Sequence, residues 1–167
     1  MRARNPIWRL LPRPLILGLT TFGPIGRLKA PGTWGSVGGI LLFTVLFAYL
    51  PPVPYLLLSL SLLFIFLAVP LCEEAEIRLA QRDPGCVILD EFVAIPICFL
   101  GIPFQPGQPA WAWILGGFLL FRFFDILKPL GINKLQNLAG GWGVVADDIA
   151  AAVATNIVLQ ITYAILI

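Results

Sequence analysis

Charge in this chain is confined to three short blocks. The 11 basic and 9 acidic residues all lie between Arg2 and Lys29, between Glu73 and Glu91, or between Arg122 and Asp148. The stretches 30–72, 92–121 and 149–167 carry no charged side chain. Uncharged runs of this length are unsuited to a water-facing surface, whereas a membrane-spanning helix needs roughly 17 to 25 mainly apolar residues. Composition agrees: with 59% hydrophobic and 12% charged residues, the chain carries about half the charge of an ordinary soluble domain.

The lengths of the uncharged stretches predict a topology. Residues 30–72 are too long for one span and fit two, broken where Pro51, Pro52 and Pro54 interrupt helix. Residues 92–121 are short for two, but Pro103, Pro106, Gly107 and Pro109 mark a central turn, so both helices must run on into the charged blocks. The last stretch gives one more span, about 28 Å long at 1.5 Å per residue. The expected fold is all-α, a polytopic membrane helical bundle of about five transmembrane helices near 35–50, 54–72, 87–102, 110–128 and 147–166. No polar linker divides it, so residues 1–167 form one domain. Residues 1–29 are expected to be a cytoplasmic, interfacial arm, with Trp8 and the leucines in the headgroup zone and Arg2, Arg4, Arg9 and Arg13 near anionic lipid. Pro12 and Pro14 interrupt any signal-peptide core there.

Because both proline turns lack charge, the three charged blocks must share one side of the membrane. They hold every Lys and Arg, so the positive-inside rule makes that side cytoplasmic. Tyr49, Tyr55, Trp111 and Trp113 then fall at the opposite interface, as an aromatic belt.

Several function classes drop out. A net charge of +2, with no basic run interleaved with aromatics, argues against nucleic acid as a partner. The absence of histidine leaves no ordinary zinc site and no phosphohistidine intermediate. Cys72, Cys86 and Cys98 lack CxxC spacing and read as packing residues. Cys72 and Arg78 have the C-x5-R spacing of cysteine phosphatases, but Glu73, Glu74 and Glu76 would repel both thiolate and phosphate, so the match is chance. Those glutamates, with Arg78 and Arg82, read as a wet loop helix outside any site.

What remains is a constellation of acids and bases at predicted helix ends. Asp83-Pro84-Gly85 leads to Asp90-Glu91; Arg122, Asp125 and Lys128 are spaced to share one helix face; Asp147-Asp148 open the final helix. Carboxylates at a membrane boundary are costly unless they pair or bind a cation. Asp83, Asp90, Glu91, Asp125, Asp147 and Asp148 are therefore candidate oxygen ligands for a hard divalent ion, for which Mg²⁺ is the best fit. Asp90, Glu91, Asp125 and Asp148 are the catalytic candidates, and Arg122 and Lys128 would offset phosphate charge. Thr33 and Ser36 sit at the entry to the first helix, either as phosphate-contacting residues beside free backbone N–H groups or as a helix cap. Asp148, Thr155, Asn156 and Gln160 follow one face of the last helix, with the last three reading as interhelical glue.

At these residues the chain resembles the phosphatidylglycerophosphatase A family of bacterial membrane lipid phosphatases. The resemblance rests on Ala30-Pro31-Gly32-Thr33-Trp34-Gly35-Ser36, on Asp83-Pro84-Gly85 with Leu89-Asp90-Glu91-Phe92-Val93, on Phe121-Arg122-Phe123-Phe124-Asp125 with Lys128-Pro129, and on Gly140-Gly141-Trp142-Gly143 before Asp147-Asp148. It implies Mg²⁺-dependent hydrolysis of phosphatidylglycerol phosphate to phosphatidylglycerol and phosphate at the inner face of the cytoplasmic membrane. Two other classes compete. A lipid phosphotransferase of the CDP-alcohol type needs a D-x2-D-G-x2-A-R segment that is missing here. A small non-enzymatic membrane subunit would release no phosphate from any lipid.

Overall fold

The computed structural model describes residue 8 and residues 10–49, 54–104 and 109–166. Arg2, Arg4 and Arg9 of the basic arm, and Pro51, Pro52, Pro106 and Gly107 of the turns, lie outside the described residues, as does the side chain of Tyr49. Among the described residues there are six α-helices and no strand: α1 (Arg13–Thr21), α2 (Pro31–Tyr49), α3 (Pro54–Leu79), α4 (Leu89–Cys98), α5 (Ala110–Leu127) and α6 (Trp142–Leu166). Two 3-10 segments, Ile25–Arg27 and Pro129–Asn137, connect them.

Three helices, α3, α5 and α6, are long and apolar enough to cross a membrane. The 19-residue α2 is apolar as well. Their outward faces carry Leu41, Phe66, Leu119 and Ile165 in the open. Apolar surface distributed along every long helix is what lipid, not water, would cover.

Of the about five transmembrane helices expected, three among the described residues have the length and apolar composition to cross a membrane, and α4 is too short to do so. It has ten residues, seven of them buried, and at 1.5 Å per residue it reaches only about 15 Å. Pro96 lies inside it and cannot donate to the Phe92 carbonyl. Past Cys98 the backbone turns through Phe99, Leu100 and Gly101, the last at φ 72°. Helix α6 completes the missing hydrogen bonds: Asn156 Nδ2 donates to the carbonyls of Cys98 (3.0 Å) and Leu100 (2.8 Å), and Gln160 Nε2 donates to Leu100 (2.9 Å). Broken helix at membrane depth is tolerated where protein side chains satisfy it, and α4 packs against α2, α3 and α6. Asn156 and Gln160 are thus the glue expected, but their partners are backbone carbonyls.

Other boundaries differ in ways that matter to the site. Helix α3 runs to Leu79, seven residues past the uncharged stretch, so Glu73 to Arg78 are helical as expected but continue a helix long and apolar enough to cross a membrane. Helix α6 starts at Trp142, which places Asp147 and Asp148 in its second turn instead of at its opening. Gly141 permits that start, because a side chain there would collide with the Val69 carbonyl of α3. At the far end, Trp113 of α5 and Tyr163 of α6 pack with ring centroids 5.6 Å apart, while Tyr55 and Trp111 are exposed, consistent with an aromatic belt there.

Candidate active site

Helix α4 carries Asp90 and Glu91 in its first turn, at the charged end of the bundle. Its entry is pinned by α1: the Ile88 N–H donates to the Thr20 carbonyl at 2.9 Å, and Phe22 packs on Phe92 with centroids 4.8 Å apart. From the other side α6 brings Asp148. One carboxylate oxygen from each of Asp90, Glu91 and Asp148 falls within 4.8 Å of the others. Asp90 and Asp148 are buried and Glu91 is nearly so.

Space for Glu91 comes from α2. A side-chain carbon at Gly32 would clash with Glu91 Oε1, and one at Gly35 would lie 2.8 Å from the Ile88 carbonyl and 3.2 Å from Glu91 Oε2. The carboxylate therefore rests against the first turns of α2, where the positive end of the helix dipole favours negative charge. The sequence left that position open between a phosphate contact and a helix cap; in the fold the Glu91 carboxylate lies beside it.

Two cations face the acids. Arg122 Nη1 donates to Asp125 Oδ2 at 2.7 Å, lies 3.8 Å from Glu91 Oε1, and reaches Ser36 Oγ at 3.4 Å. Lys128 caps α5 in the left-handed region (φ 45°), which turns its ammonium onto Asp147. Burial opposes the charge on Lys128, but its hydrogen bond to Asp147 and the pull of the surrounding carboxylates outweigh this and hold the ammonium above its ordinary value. Five acids, Asp90, Glu91, Asp125, Asp147 and Asp148, thus share two bases.

Each residue expected at the site has a place. Asp90, Glu91 and Asp148 form the tight group. Asp125 and Asp147 are the anchors of Arg122 and Lys128, and both remain within electrostatic reach of Asp148. Asp83 stands in the α3–α4 loop, its N–H donating to Glu76 Oε1 and its carboxylate accepting from Gln136 Nε2, each at 2.8 Å. Partial burial, followed by the nearby Asp147 carboxylate, raises its pKa. Ser36 is buried under Arg122, its hydroxyl donating to the Gly32 carbonyl at 2.8 Å. Thr33 is half-buried two residues past the start of α2.

The wet-loop reading of the glutamates is corrected. Glu74 is 2% and Glu76 6% exposed. Glu74 pairs with Arg78 at 3.0 Å, and Arg78 also donates to the Trp8 carbonyl, tying the N-terminal segment to α3. Gly32 and Gly35 were missed as site residues; their three-residue spacing in a helix entry was the available signal. Gln136 had no signal, because its role depends on how the 3-10 segment folds back.

The acid group fits a hard divalent cation. Glu91 Oε2, Asp147 Oδ1 and Asp148 Oδ1 are buried without a hydrogen-bond partner. Buried carboxylate oxygens are rarely left so, and an excess of acids over bases in low dielectric is costly unless a cation joins them. All-oxygen donors of this kind suit Mg²⁺ or a similar ion.

Fold and site define a class: an all-helical protein of membrane-spanning build, with a buried acid group flanked by an arginine and a lysine at one end of the bundle. The chain belongs to the phosphatidylglycerophosphatase A family, whose sequence profile matches residues 18–163. It is 37% identical over 166 residues to the phosphatidylglycerophosphatase A of Haemophilus influenzae, covering 98% of both chains. Against the phosphatidylglycerophosphatase A of Escherichia coli it is 34% identical over 154 residues, covering 92% of this chain and 81% of the relative. A Bacteroides thetaiotaomicron protein named "Putative phosphatidylinositol-3-phosphatase" is 34% identical over 151 residues, covering 89% of this chain and 92% of the relative. No solved structure matches.

Proposed function

We propose that this protein hydrolyses the terminal phosphomonoester of phosphatidylglycerol phosphate, in a Mg²⁺-dependent reaction at the cytoplasmic face of the bacterial inner membrane. The observation that carries this reading is the convergence of Asp90, Glu91 and Asp148, with unpartnered oxygens on Glu91 and Asp148, beside Arg122 and Lys128. Family membership supplies the substrate class, and the positive-inside rule the face.

Asp90, Glu91 and Asp148 would hold the metal. When bound, Mg²⁺ supplies charge neutralisation at the phosphoryl oxygens and a more acidic attacking water. The chain's own residues do the rest. Arg122, held by Asp125, has its Nε buried and without a partner, so it can donate to a phosphate oxygen. Lys128, held by Asp147, presents a second positive charge from the end of α5. Water adds to phosphorus, the P–O bond to the glycerol breaks, and the released headgroup oxygen regains a proton as a hydroxyl.

A second headgroup is favoured by the Bacteroides relative, whose name points to a phosphoinositide monoester. The test offers detergent-purified protein both phosphatidylglycerol phosphate and phosphatidylinositol 3-phosphate with Mg²⁺ and measures phosphate release. Faster release from the glycerol lipid is expected. Preference for the inositol lipid would reassign the substrate, and release from neither would remove the enzymatic reading.

A further inference from the structure

Away from the acid group, α1 and the turn Ile25–Arg27 enclose an open cleft of about 540 Å³. Arg13 and Arg27 line it on either element, with Leu17 between them in the chain. The space beside Gly18 and Gly23 is open: a side-chain carbon at either would meet nothing within 4 Å. Both arginines are exposed, and neither guanidinium has a hydrogen bond or ion pair among the described residues. Residues 1–72 contain no Asp or Glu, so this part of the chain offers nothing to neutralise them.

The surroundings are apolar. Pro14, Leu17 and Pro24 line the cleft itself, and Leu15, Leu19, Ile25 and Leu28, outside the lining, are exposed on or next to the same two elements. A short helix with an apolar face and unpaired arginines, beside helices of membrane-spanning length, sits naturally in the headgroup zone. Two guanidinium groups across a cleft match a phosphodiester, since arginine binds phosphate oxygens through paired N–H donors. The exposed leucines outside the cleft would anchor the two elements in the surrounding lipid.

We propose that the cleft between Arg13 and Arg27 is a discrete binding site for the headgroup of an anionic membrane phospholipid, separate from the acid group. It shares no residue with Asp90, Glu91, Asp148, Arg122 or Lys128. It differs from diffuse attraction of a basic arm to a membrane in being saturable and in depending on these two arginines. It rests on the chain's place in a membrane and not on its catalytic activity.

The test titrates labelled phosphatidylserine, an anionic phosphodiester that is neither substrate nor product of the proposed reaction, into the detergent-purified full chain, with labelled phosphatidylcholine as the zwitterionic control. Binding of the anionic lipid should saturate. Arg13→Gln and Arg27→Gln should each weaken it about fivefold and the pair about thirtyfold, as expected for basic residues at an anionic surface. Lys29→Gln, an exposed cation outside the cleft, should change it less than about twofold, because it tests only the screened surface field. Arg13→Lys with Arg27→Lys should restore part of the affinity. Phosphatidylcholine binding should not move. Equal losses for Arg13, Arg27 and Lys29 would reduce the cleft to diffuse attraction, and wild-type binding by the double glutamine variant would overturn the site. Displacement of the lipid by millimolar inorganic phosphate would make it a phosphate site instead. The readout needs no turnover, so it stands or falls independently of the proposed phosphatase activity.

Discussion

Arg122 and Asp125 show what one turn of helix can do. Their 2.7 Å bond leaves the guanidinium fixed beside Glu91, with Nε available. Arg122→Ala is expected to raise KM for the phosphorylated lipid at least tenfold while leaving the Mg²⁺ concentration for half-maximal activity unchanged, because a cation cannot ligate the ion. Asp125→Asn should copy that pattern by freeing the arginine; a shifted Mg²⁺ titration would instead put Asp125 among the ligands. Glu74 is the contrasting case. Its position in the chain suggested a solvated charge, yet it is buried against Arg78. Glu74→Gln should leave turnover per folded molecule intact but lower stability by about 1–3 kcal/mol, read as an earlier thermal unfolding in detergent. The acids of the site were readable because carboxylates at apolar helix ends need a reason. Which of them meet was not, because Asp90 and Asp148 are far apart in the chain and their approach depends on where α4 and α6 begin.

At the scale of elements, charge and proline found α3, α5 and α6, because uncharged runs and helix breakers are local signals; α5 was placed closely, while α3 and α6 run further into the charged blocks than expected. They failed at α4. A run from Phe92 onward looks like a span, and nothing local in Pro96 or Gly101 says that the helix will stop at Cys98. That outcome requires Asn156 and Gln160, more than fifty residues away, to take over the carbonyls of Cys98 and Leu100. Asn156→Ala is therefore expected to destabilise the protein by about 1–3 kcal/mol, because it leaves buried carbonyls short of a donor. Thermal unfolding in detergent reads this directly, and an unchanged midpoint would mean that Gln160 alone suffices. The glycines of α2 belong to the same scale: Gly32 and Gly35 give Glu91 its room, a dependence visible only once α2 and α4 lie side by side.

For the whole molecule, the segregation of charge remains the governing feature. The acid group, both of its cations and the α1 cleft gather where charged blocks converge, and the paired aromatics Trp113 and Tyr163 lie at the other end. Reporters fused at Asp83 and Leu138 should be cytoplasmic, and reporters at Ala110 and after Leu166 should be on the outside. A cytoplasmic Ala110 would mean that α4 and the segment after it fail to complete a crossing. The central claim is that Asp90, Glu91 and Asp148 hold a divalent ion on which phosphate release depends. The most direct measurement is a Mg²⁺ titration of phosphate release by chelator-stripped protein, for the wild type and for Asp90→Asn, Glu91→Gln and Asp148→Asn. Stripped wild-type protein should be inactive and recover with Mg²⁺, while each variant should need at least about tenfold more Mg²⁺ or turn over at least about tenfold more slowly. Undiminished release in the presence of chelator, or variants that titrate like the wild type, would contradict it.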